Sequence, residues 1–343
     1  MNSSEVLNST VECHKYGAYR CTLTVVNWAL AFFGNTFTIL TMLKTKEGIG
    51  KKGRAYIISL SCFDLLMSPI LTADLTLGYL GGLCQPLFPP YTKEVISWVP
   101  TLRRNRSILG AFYSISLVGS LLVMMTISLD RLLAVSKPLF YKHNITIPRI
   151  RILVAGIWVY VGTLGLFIFC YFSQQSTDVQ VLSGLYNGSI LPPWAYKYVL
   201  QAHVYLTIAG TFLSSGLAIH FVKKLDKKPG TGSNSVKSSA RTKRVLKMTL
   251  ATLISLLLLY CPFLLVTSLL DDKKGTSPQW MYDYLLVSTN FLTQCNSGIN
   301  PLIYSCFNED FKNAYKRMLR TGRNRVWPQA NSSSVTGTMS LPE

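Results

Sequence analysis

The chain has 343 residues, of which 49% are hydrophobic and only 14% are charged. Soluble globular domains carry roughly 25% charged residues, so this composition argues against a chain that folds wholly in water. The net charge is nevertheless +19, from 34 Lys and Arg against 15 Asp and Glu. A small charged fraction with a large positive excess indicates that the basic residues are segregated along the chain.

Seven apolar segments are each long enough to cross a bilayer, which takes about 20 mostly apolar residues. They are 22–43, 55–80, 107–135, 152–172, 194–222, 245–270 and 280–304. The longest loop between them, 81–106, has 26 residues, and no hydrophilic stretch is long enough for a separate soluble domain. We therefore predict an all-α membrane protein in which residues 22–304 form a seven-transmembrane helix bundle.

The segment after the seventh span has the pattern of a helix that lies on a membrane surface. Apolar residues recur there at three- and four-residue spacing, with basic residues between them: Phe307, Phe311, Ala314, Tyr315 and Met318. This pattern predicts a short amphipathic helix over 305–320. The Ser- and Thr-rich composition at the end of the chain predicts a disordered cytoplasmic tail over 321–343.

The basic residues indicate how the bundle is oriented. Of the 34 Lys and Arg, 25 fall in the first, third and fifth loops and the C-terminal tail. Because short cytoplasmic loops are enriched in Lys and Arg, we predict a multi-pass plasma-membrane protein with an extracellular N-terminal tail, 1–21, and a cytoplasmic C-terminus. The positive excess follows the topology loop by loop, which argues against nucleic-acid binding.

This orientation places glycosylation sequons and several cysteines outside. Four sequons on the outer side begin at Asn2, Asn8, Asn105 and Asn187. The outer cysteines are Cys13, Cys21, Cys84 and Cys170. The outside is oxidising, so disulfides are expected, and four cysteines allow three full connectivities. We favour Cys13–Cys21, which closes a small loop.

Short motifs recur on the spans in a definite order. The third span ends in Asp130-Arg131, and the seventh contains Asn300-Pro301-Leu302-Ile303-Tyr304. The first, second and fourth spans contain Asn35, Asp64 and Trp158, respectively. Together these motifs resemble those of the rhodopsin-like family of G-protein-coupled receptors, over residues from about 20 to 320.

The resemblance implies a receptor without enzymatic activity that couples an extracellular ligand to a heterotrimeric G protein. Exposed Ser and Thr residues in the fifth loop and the tail suggest phosphorylation by a receptor kinase and binding of arrestin. The cytoplasmic basic surface also faces membrane lipid. The family resemblance assigns seven residues to activation and coupling: Asp130, Arg131, Asn300, Pro301, Tyr304, Tyr260 and Pro262. A mid-helix proline such as Pro262 kinks a helix and provides a plausible hinge.

A carboxylate in the middle of a span has to be compensated. By resemblance, an allosteric sodium ion would be bound by Asp64, Ser120, Asn296, Ser297 and Asn300. Oxygen ligands suit such a hard cation. The alternative is an interhelical hydrogen-bond network without an ion. No other cofactor is expected.

The resemblance also suggests an outer ligand cavity lined by Asp74, Tyr113, Tyr260, Asp283, Asn290 and Gln294. Tyr113 stands where amine receptors have an Asp, which disfavours a biogenic amine. Gln294 stands where opsins carry the retinal Lys, which excludes a retinal Schiff base. Peptide, lipid and small polar ligands remain open. Asp74 either pairs with a cationic ligand group or anchors an internal hydrogen bond.

The chain departs from the family pattern in ways that leave alternatives. The usual Cys at the outer end of the third span is absent, as is any Cys in 173–193, and the fifth span has no Pro. Paired loss of these features is similar to the branch containing melanocortin, cannabinoid and lysophospholipid receptors. Tyr260 replaces the usual Trp, so a non-signalling decoy receptor is one alternative. A transporter or channel using Asp64 and Asp74 is another, although internal repeats are not evident.

Overall fold

The structure is a computed structural model that describes residues 18–44, 50–72, 99–174, 201–226, 250–251, 253–266, 279–307 and 309–326. Within these ranges the chain forms helices and short turns, and no strand is found there. Seven helices correspond to the predicted spans: α1 Ala18–Lys44, α2 Lys51–Thr72, α3 Val99–Ser136, α4 Ile147–Gln174, α5 Gln201–Asp226, α6 Leu253–Val266 and α7 Gln279–Phe307. A short helix, Pro138–Asn144, connects α3 to α4, and α8, Glu309–Val326, follows α7.

Length and hydropathy separate these helices into groups. In the described part of the chain, α1 to α5 are each long and apolar enough to cross a membrane, whereas α6 is a shorter apolar helix. The polar residues of α7, among them Thr293, Asn296 and Asn300, are buried and face other helices. The fourth span, in contrast, has large apolar side chains on its surface, such as Leu166 and Val159, and this fits a helix that borders lipid.

Two helices extend furthest beyond their predicted bounds. Helix α3 begins at Val99, inside the segment 81–106 that was expected to be a loop. The prediction was based on hydropathy, which marks the part of a helix that crosses the bilayer but not where the helix begins. Pro100 is tolerated in a first helical turn. Helix α8 similarly continues to Val326, past the predicted end at 320, and the next helix-breaking proline is Pro328.

Helix α3 lies at the centre of the bundle and packs against α4, α5 and α2. The Phe63 ring of α2 stacks on Trp158 of α4 with ring centroids 3.8 Å apart. The Trp158 indole N–H donates a hydrogen bond of 3.1 Å to the Ser59 hydroxyl. Phe63 fits because Gly119 of α3 has no side chain, and a Cβ there would lie 2.5 Å from the ring. These contacts explain the tryptophan in an otherwise apolar span.

Helix α1 approaches the backbone of α7 closely. It contains one π-helical turn, Leu30–Gly34, and such turns are wider than α-helical ones. A Cβ at Gly298 of α7 would lie 2.5 Å from the Leu30 Cβ, so only glycine fits without a backbone shift. The Asn35 amide then donates hydrogen bonds to the Ala31 carbonyl at 2.9 Å and to the Ser297 carbonyl at 2.7 Å.

Helix α8 turns back after α7 and packs against α1 and α7. Its Phe311 side chain is fully buried, and the Phe311 and Tyr304 ring centroids lie 5.6 Å apart. Tyr315 makes an edge contact of 4.2 Å with Phe37 of α1. Burial raises the pKa of the Tyr315 phenol. The amphipathic face that the sequence predicted therefore packs partly against the bundle itself.

The α1–α7 approach yields a prediction about stability. Gly298→Ala should destabilise the solubilised receptor by about 1–3 kcal/mol, because the added methyl group overlaps Leu30. Gly216→Ala is the matched control, since a Cβ there meets nothing within 4 Å and alanine favours a helix by about 1 kcal/mol over glycine. Thermal unfolding in one detergent should lower the midpoint for Gly298→Ala and leave it unchanged or higher for Gly216→Ala. Equal midpoints for the two variants would contradict the close packing.

Candidate functional site

The Asp64 carboxylate lies at the centre of the polar interior. Asp64 is fully buried, and the Asn300 amide of α7 donates a hydrogen bond of 2.8 Å to its Oδ2. The side chains of Ser297 and Ser120 also lie close enough to interact with the carboxylate. Four of the five residues predicted for a sodium site therefore converge, from α2, α3 and α7.

The fifth residue, Asn296, faces a different direction. Its amide lies 3.9 Å from the Met124 sulfur, and its side chain interacts with the Tyr260 phenol. The Asn296 Oδ1 and the Asp64 Oδ1 are both buried and have no hydrogen-bond partner among the described residues. The Asp64 Oδ1, which lies in the converging cluster, fits a bound cation or a water molecule, because buried polar atoms are nearly always paired.

The C-terminal end of α3 is held by the connection that follows it. The Tyr141 hydroxyl, on the short helix, donates to the Asp130 carboxylate and lies 3.1 Å from each of its oxygens. The Lys52 ammonium of α2 lies 4.1 Å from the centre of the Tyr141 ring. Tyr56 of α2 also interacts with the Asp130 carboxylate. Asp130 is therefore fixed by α2 and by the short helix together.

Tyr141 is not among the residues predicted from the sequence. The available signal was Pro138, which is favourable at the start of a helix. Tyr141 then lies one turn after Lys137, and its backbone N–H donates to the Lys137 carbonyl at 2.9 Å. Beside this pair, the Arg131 Nε is buried and has no hydrogen-bond partner among the described residues.

The motif of the seventh span also has a structural role at this end. Pro301 lies within the helix α7, and its ring would be 3.3 Å from a Cβ at Gly34. Tyr304 is buried, and it packs on Phe311 of α8. Pro262 of α6 lies inside a segment that stays helical on both sides of it.

The predicted ligand cavity is small. Its volume is about 20 Å³ and its lining comes from α3, α5, α6 and α7: Tyr113, Leu117, Gln201, Val204, Tyr260, Phe263, Leu264 and Thr293. A cavity needs roughly 10–15 Å³ to hold a water molecule. Tyr113 and Tyr260 are thus brought together as expected, but the space between them admits little more than water.

Of the four remaining predicted ligand residues, the structure describes the side chains of two. The Gln294 Oε1 accepts a hydrogen bond of 3.1 Å from the Asn27 amide of α1, so Gln294 faces α1 and is not among the residues that line the cavity. Asn290 accepts a 3.4 Å hydrogen bond from the Thr293 hydroxyl. Asp74 lies outside the described residues. Asp283 lies in α7, but its side chain is not described.

The extracellular predictions fall mostly outside the described ranges. Asn2, Asn8 and Asn187 lie outside them, and Asn105 lies in α3 with an undescribed side chain. Cys21 is disulfide-bonded, and its predicted partner Cys13 lies outside the described residues.

Comparison with known proteins gives the family. The family described as 7 transmembrane receptor (rhodopsin family) matches residues 34–304. A QRFP-like peptide receptor of Branchiostoma floridae is 25% identical over 91% of this chain and 81% of its own length. Melanocortin receptor 5 of Mus musculus is 22% identical over 92% and 88%, and neuropeptide FF receptor 2 of Rattus norvegicus is 22% identical over 88% and 72%.

The family match begins at Gly34 and ends at Tyr304, and it therefore includes the Asp64 cluster and the Asp130-Arg131 pair. A multi-pass bundle of this kind acts as a receptor and not as an enzyme. The chain belongs to the rhodopsin family of seven-transmembrane receptors, the class A G-protein-coupled receptors.

Proposed function

We propose that the ligand of this receptor is an extracellular peptide. The observation that carries the proposal is the likeness, over about nine-tenths of the chain, to receptors that are named for peptides: a QRFP-like peptide receptor and neuropeptide FF receptors. In this proposal the N-terminus is extracellular, and the G protein binds at the cytoplasmic ends of the helices beside Arg131.

The cavity geometry supports a ligand that binds mainly near the outer mouth of the bundle. The space between Tyr113 and Tyr260 has a volume of only about 20 Å³, so a compact ligand held deep between these rings would require the helices to separate. A peptide can instead contact the outer rim and insert one terminus. Asp74 and Asp283 are the acidic residues that would pair with cationic peptide groups.

Activation, in this proposal, is a shift between two helix arrangements. Peptide binding favours the arrangement in which α6 has moved outward about Pro262, which opens a cytoplasmic cleft beside Arg131. Asp130 and Tyr141 stabilise the closed arrangement, since they tie the end of α3 to the short helix. Phosphorylation of Ser and Thr in the fifth loop and the tail then permits arrestin binding.

A sodium ion at Asp64 is a second part of the proposal. The donors are a carboxylate, hydroxyls and an amide, which suit a hard cation, and Asp64 Oδ1 lacks a partner among the described residues. An ion there would be held by Asp64 and Ser120, and it would stabilise the helix arrangement that brings these donors together.

The peptide proposal predicts a saturable response. In cells with a promiscuous G protein, at least one of three synthetic peptides (a QRFP peptide, neuropeptide FF or a melanocortin peptide) should stimulate nucleotide exchange. Arg131→Ala should lower the maximal exchange about tenfold or more, as expected when a group essential to coupling is removed, at unchanged surface expression. Arg151→Ala, which replaces an exposed arginine of α4, is the control and should signal normally.

Three results would contradict this proposal in different ways. A response confined to a lysophospholipid or biogenic-amine panel would overturn the peptide assignment and leave G-protein coupling intact. Full nucleotide exchange in Arg131→Ala would overturn the coupling role of Arg131. If the wild type and both arginine variants showed no nucleotide exchange in an assay of ligand-free activity, the result would favour a decoy receptor.

The Asp130–Tyr141 contact predicts a change in basal activity. Tyr141→Phe removes the hydroxyl that both Asp130 oxygens accept from, and loss of a hydrogen bond to a charged group costs about 1.5–3 kcal/mol. If the contact stabilises the closed arrangement, ligand-free exchange should rise several-fold. Lys142→Ala, on the same short helix and exposed, should leave basal exchange unchanged. Lower or equal basal exchange in Tyr141→Phe would refute this role.

The sodium proposal predicts a salt effect with a specific origin. Replacing KCl by NaCl should lower basal exchange in the wild type and have no such effect in Asp64→Asn. Ser120→Ala should raise the NaCl concentration that produces half of the decrease in basal exchange by about three- to tenfold, which corresponds to one lost ligand contact. Ser128→Ala is the matched control, because Ser128 lies on the same helix, its hydroxyl bonds to the Met124 carbonyl, and it is not among the residues that interact with Asp64. Equal sodium sensitivity in Asp64→Asn and wild type would disprove the site.

A further inference from the structure

The short helix between α3 and α4, Pro138–Asn144, has few means of its own to stay in place. It has seven residues and none of them is buried, and isolated helices shorter than about 12–15 residues are marginally stable in water. Leu139 and Phe140 are 76% and 49% exposed, so burial of apolar surface contributes little. No side chain caps its first turn. The position of this helix against α3 therefore depends on individual side-chain contacts.

One such contact comes from the start of α2. The Lys52 ammonium lies over the Tyr141 ring, 4.1 Å from its centre, and a cation within about 6 Å of an aromatic centroid is attracted to the face of the ring. Lys52 is also close enough to the Asp130 carboxylate to attract it. The ammonium thus interacts with both partners of the Asp130–Tyr141 hydrogen bond and favours the geometry in which they are together.

A second contact comes from the start of α4. The Arg149 Nη1 donates a hydrogen bond of 2.5 Å to the carbonyl of Asn144, the last residue of the short helix. Carbonyl groups at the C-terminus of a helix lack partners within it, and cations are favourable there. The Ile145 N–H donates to the Tyr141 carbonyl at 3.2 Å, so Tyr141 lies in this last turn. A restraint on Asn144 therefore also limits how far Tyr141 can move from Asp130.

Neighbouring basic residues do not share these contacts. Lys51 precedes Lys52 in α2, and Arg151 lies two residues after Arg149 in α4. Both are exposed, and neither makes a hydrogen bond or a ring contact with the described part of the chain. The enrichment of Lys and Arg in short loops treats all four residues alike, whereas the structure separates them into two pairs.

We propose that Lys52 and Arg149 are positioning residues, which hold the short helix from α2 and from α4 so that the Tyr141 hydroxyl stays on the Asp130 carboxylate. This inference rests on the proposed function, in which the Asp130–Tyr141 contact stabilises the closed arrangement. Loss of either basic side chain then has the same consequence as loss of the hydroxyl, because both act through that contact.

Hydrogen–deuterium exchange of the full-length receptor in nanodiscs, without peptide or G protein, measures the positioning directly. Lys52→Met and Arg149→Ala should each speed deuterium uptake in peptides that cover 138–146 by about two- to fivefold, as for the loss of one weak contact. Lys51→Met and Arg151→Ala are the matched controls, because they remove the same charges from exposed positions nearby. Their uptake should equal that of the wild type.

Ligand-free nucleotide exchange shows whether the two residues act through Tyr141. Lys52→Met and Arg149→Ala should each raise it about two- to fivefold. Neither should raise it further in combination with Tyr141→Phe, because changes that remove one shared interaction are not additive. Lys52→Arg keeps a cation over the ring and Arg149→Lys keeps a donor for the carbonyl, so both should stay close to the wild type. Size-exclusion profiles establish that each variant is folded.

Several results would overturn the proposal. Deuterium uptake that is unchanged in Lys52→Met and Arg149→Ala would do so, as would equal effects in the two control variants, which would make loss of charge the general cause. Increases in ligand-free exchange that add fully to that of Tyr141→Phe would show that the residues act elsewhere. A lower stimulated maximum at unchanged ligand-free exchange would make them contacts of the G protein.

Failure of the proposed function gives a different result. If deuterium uptake rises in Lys52→Met and Arg149→Ala while Tyr141→Phe leaves ligand-free exchange unchanged, the positioning role is supported. Only the role of the Asp130–Tyr141 contact in the closed arrangement is then refuted.

Discussion

The membrane-spanning core depends on one constraint, which is that a carboxylate buried between the helices has to be compensated by other groups. Asp64 is fully buried, and removing a charge from water costs several kcal/mol unless other groups replace the lost hydration. Those groups come from two other helices, as an amide of α7 and a hydroxyl of α3. Because the donors are side chains on separate helices, the energy of this site depends on how α2, α3 and α7 are placed.

That placement is made possible by small residues at the helix contacts. Side-chain amides and hydroxyls are short, so the helices must approach closely before they can reach Asp64. Gly298 lets α7 approach Leu30 of α1, and Gly119 lets α3 accept the Phe63 ring. In a membrane, where helices gain little from the hydrophobic effect, close packing of this kind and interhelical hydrogen bonds hold the bundle together. Asn35, which bonds to the Ser297 carbonyl, joins α1 to the same region.

The sequence predicts a site residue correctly where the residue type alone implies that other groups must surround it. An Asp in an apolar span has to be compensated, and the family resemblance places Asn300 among the residues expected around Asp64. Tyr141 was missed because its role depends on the chain turning back after Lys137, and nothing in the local pattern directs its hydroxyl to Asp130. The orientation of Gln294 was not predictable for a related reason: the rotation of α7 about its axis is set by packing against Leu30, far away in sequence.

The buried polar residues also lie between the predicted ligand cavity and the centre of the bundle. Tyr260 lines the outer cavity beside Tyr113 and interacts with Asn296. One turn further along α7, Asn300 bonds to Asp64. In the proposed activation, an outward movement of α6 would displace Tyr260 and change the surroundings of Asn296, whose Oδ1 has no partner among the described residues. A ligand at the outer end can shift this equilibrium only through its difference in affinity for the two arrangements. In the proposed function, the interaction of Tyr260 with Asn296 is where that difference reaches α7, the helix whose Asn300 bonds to Asp64.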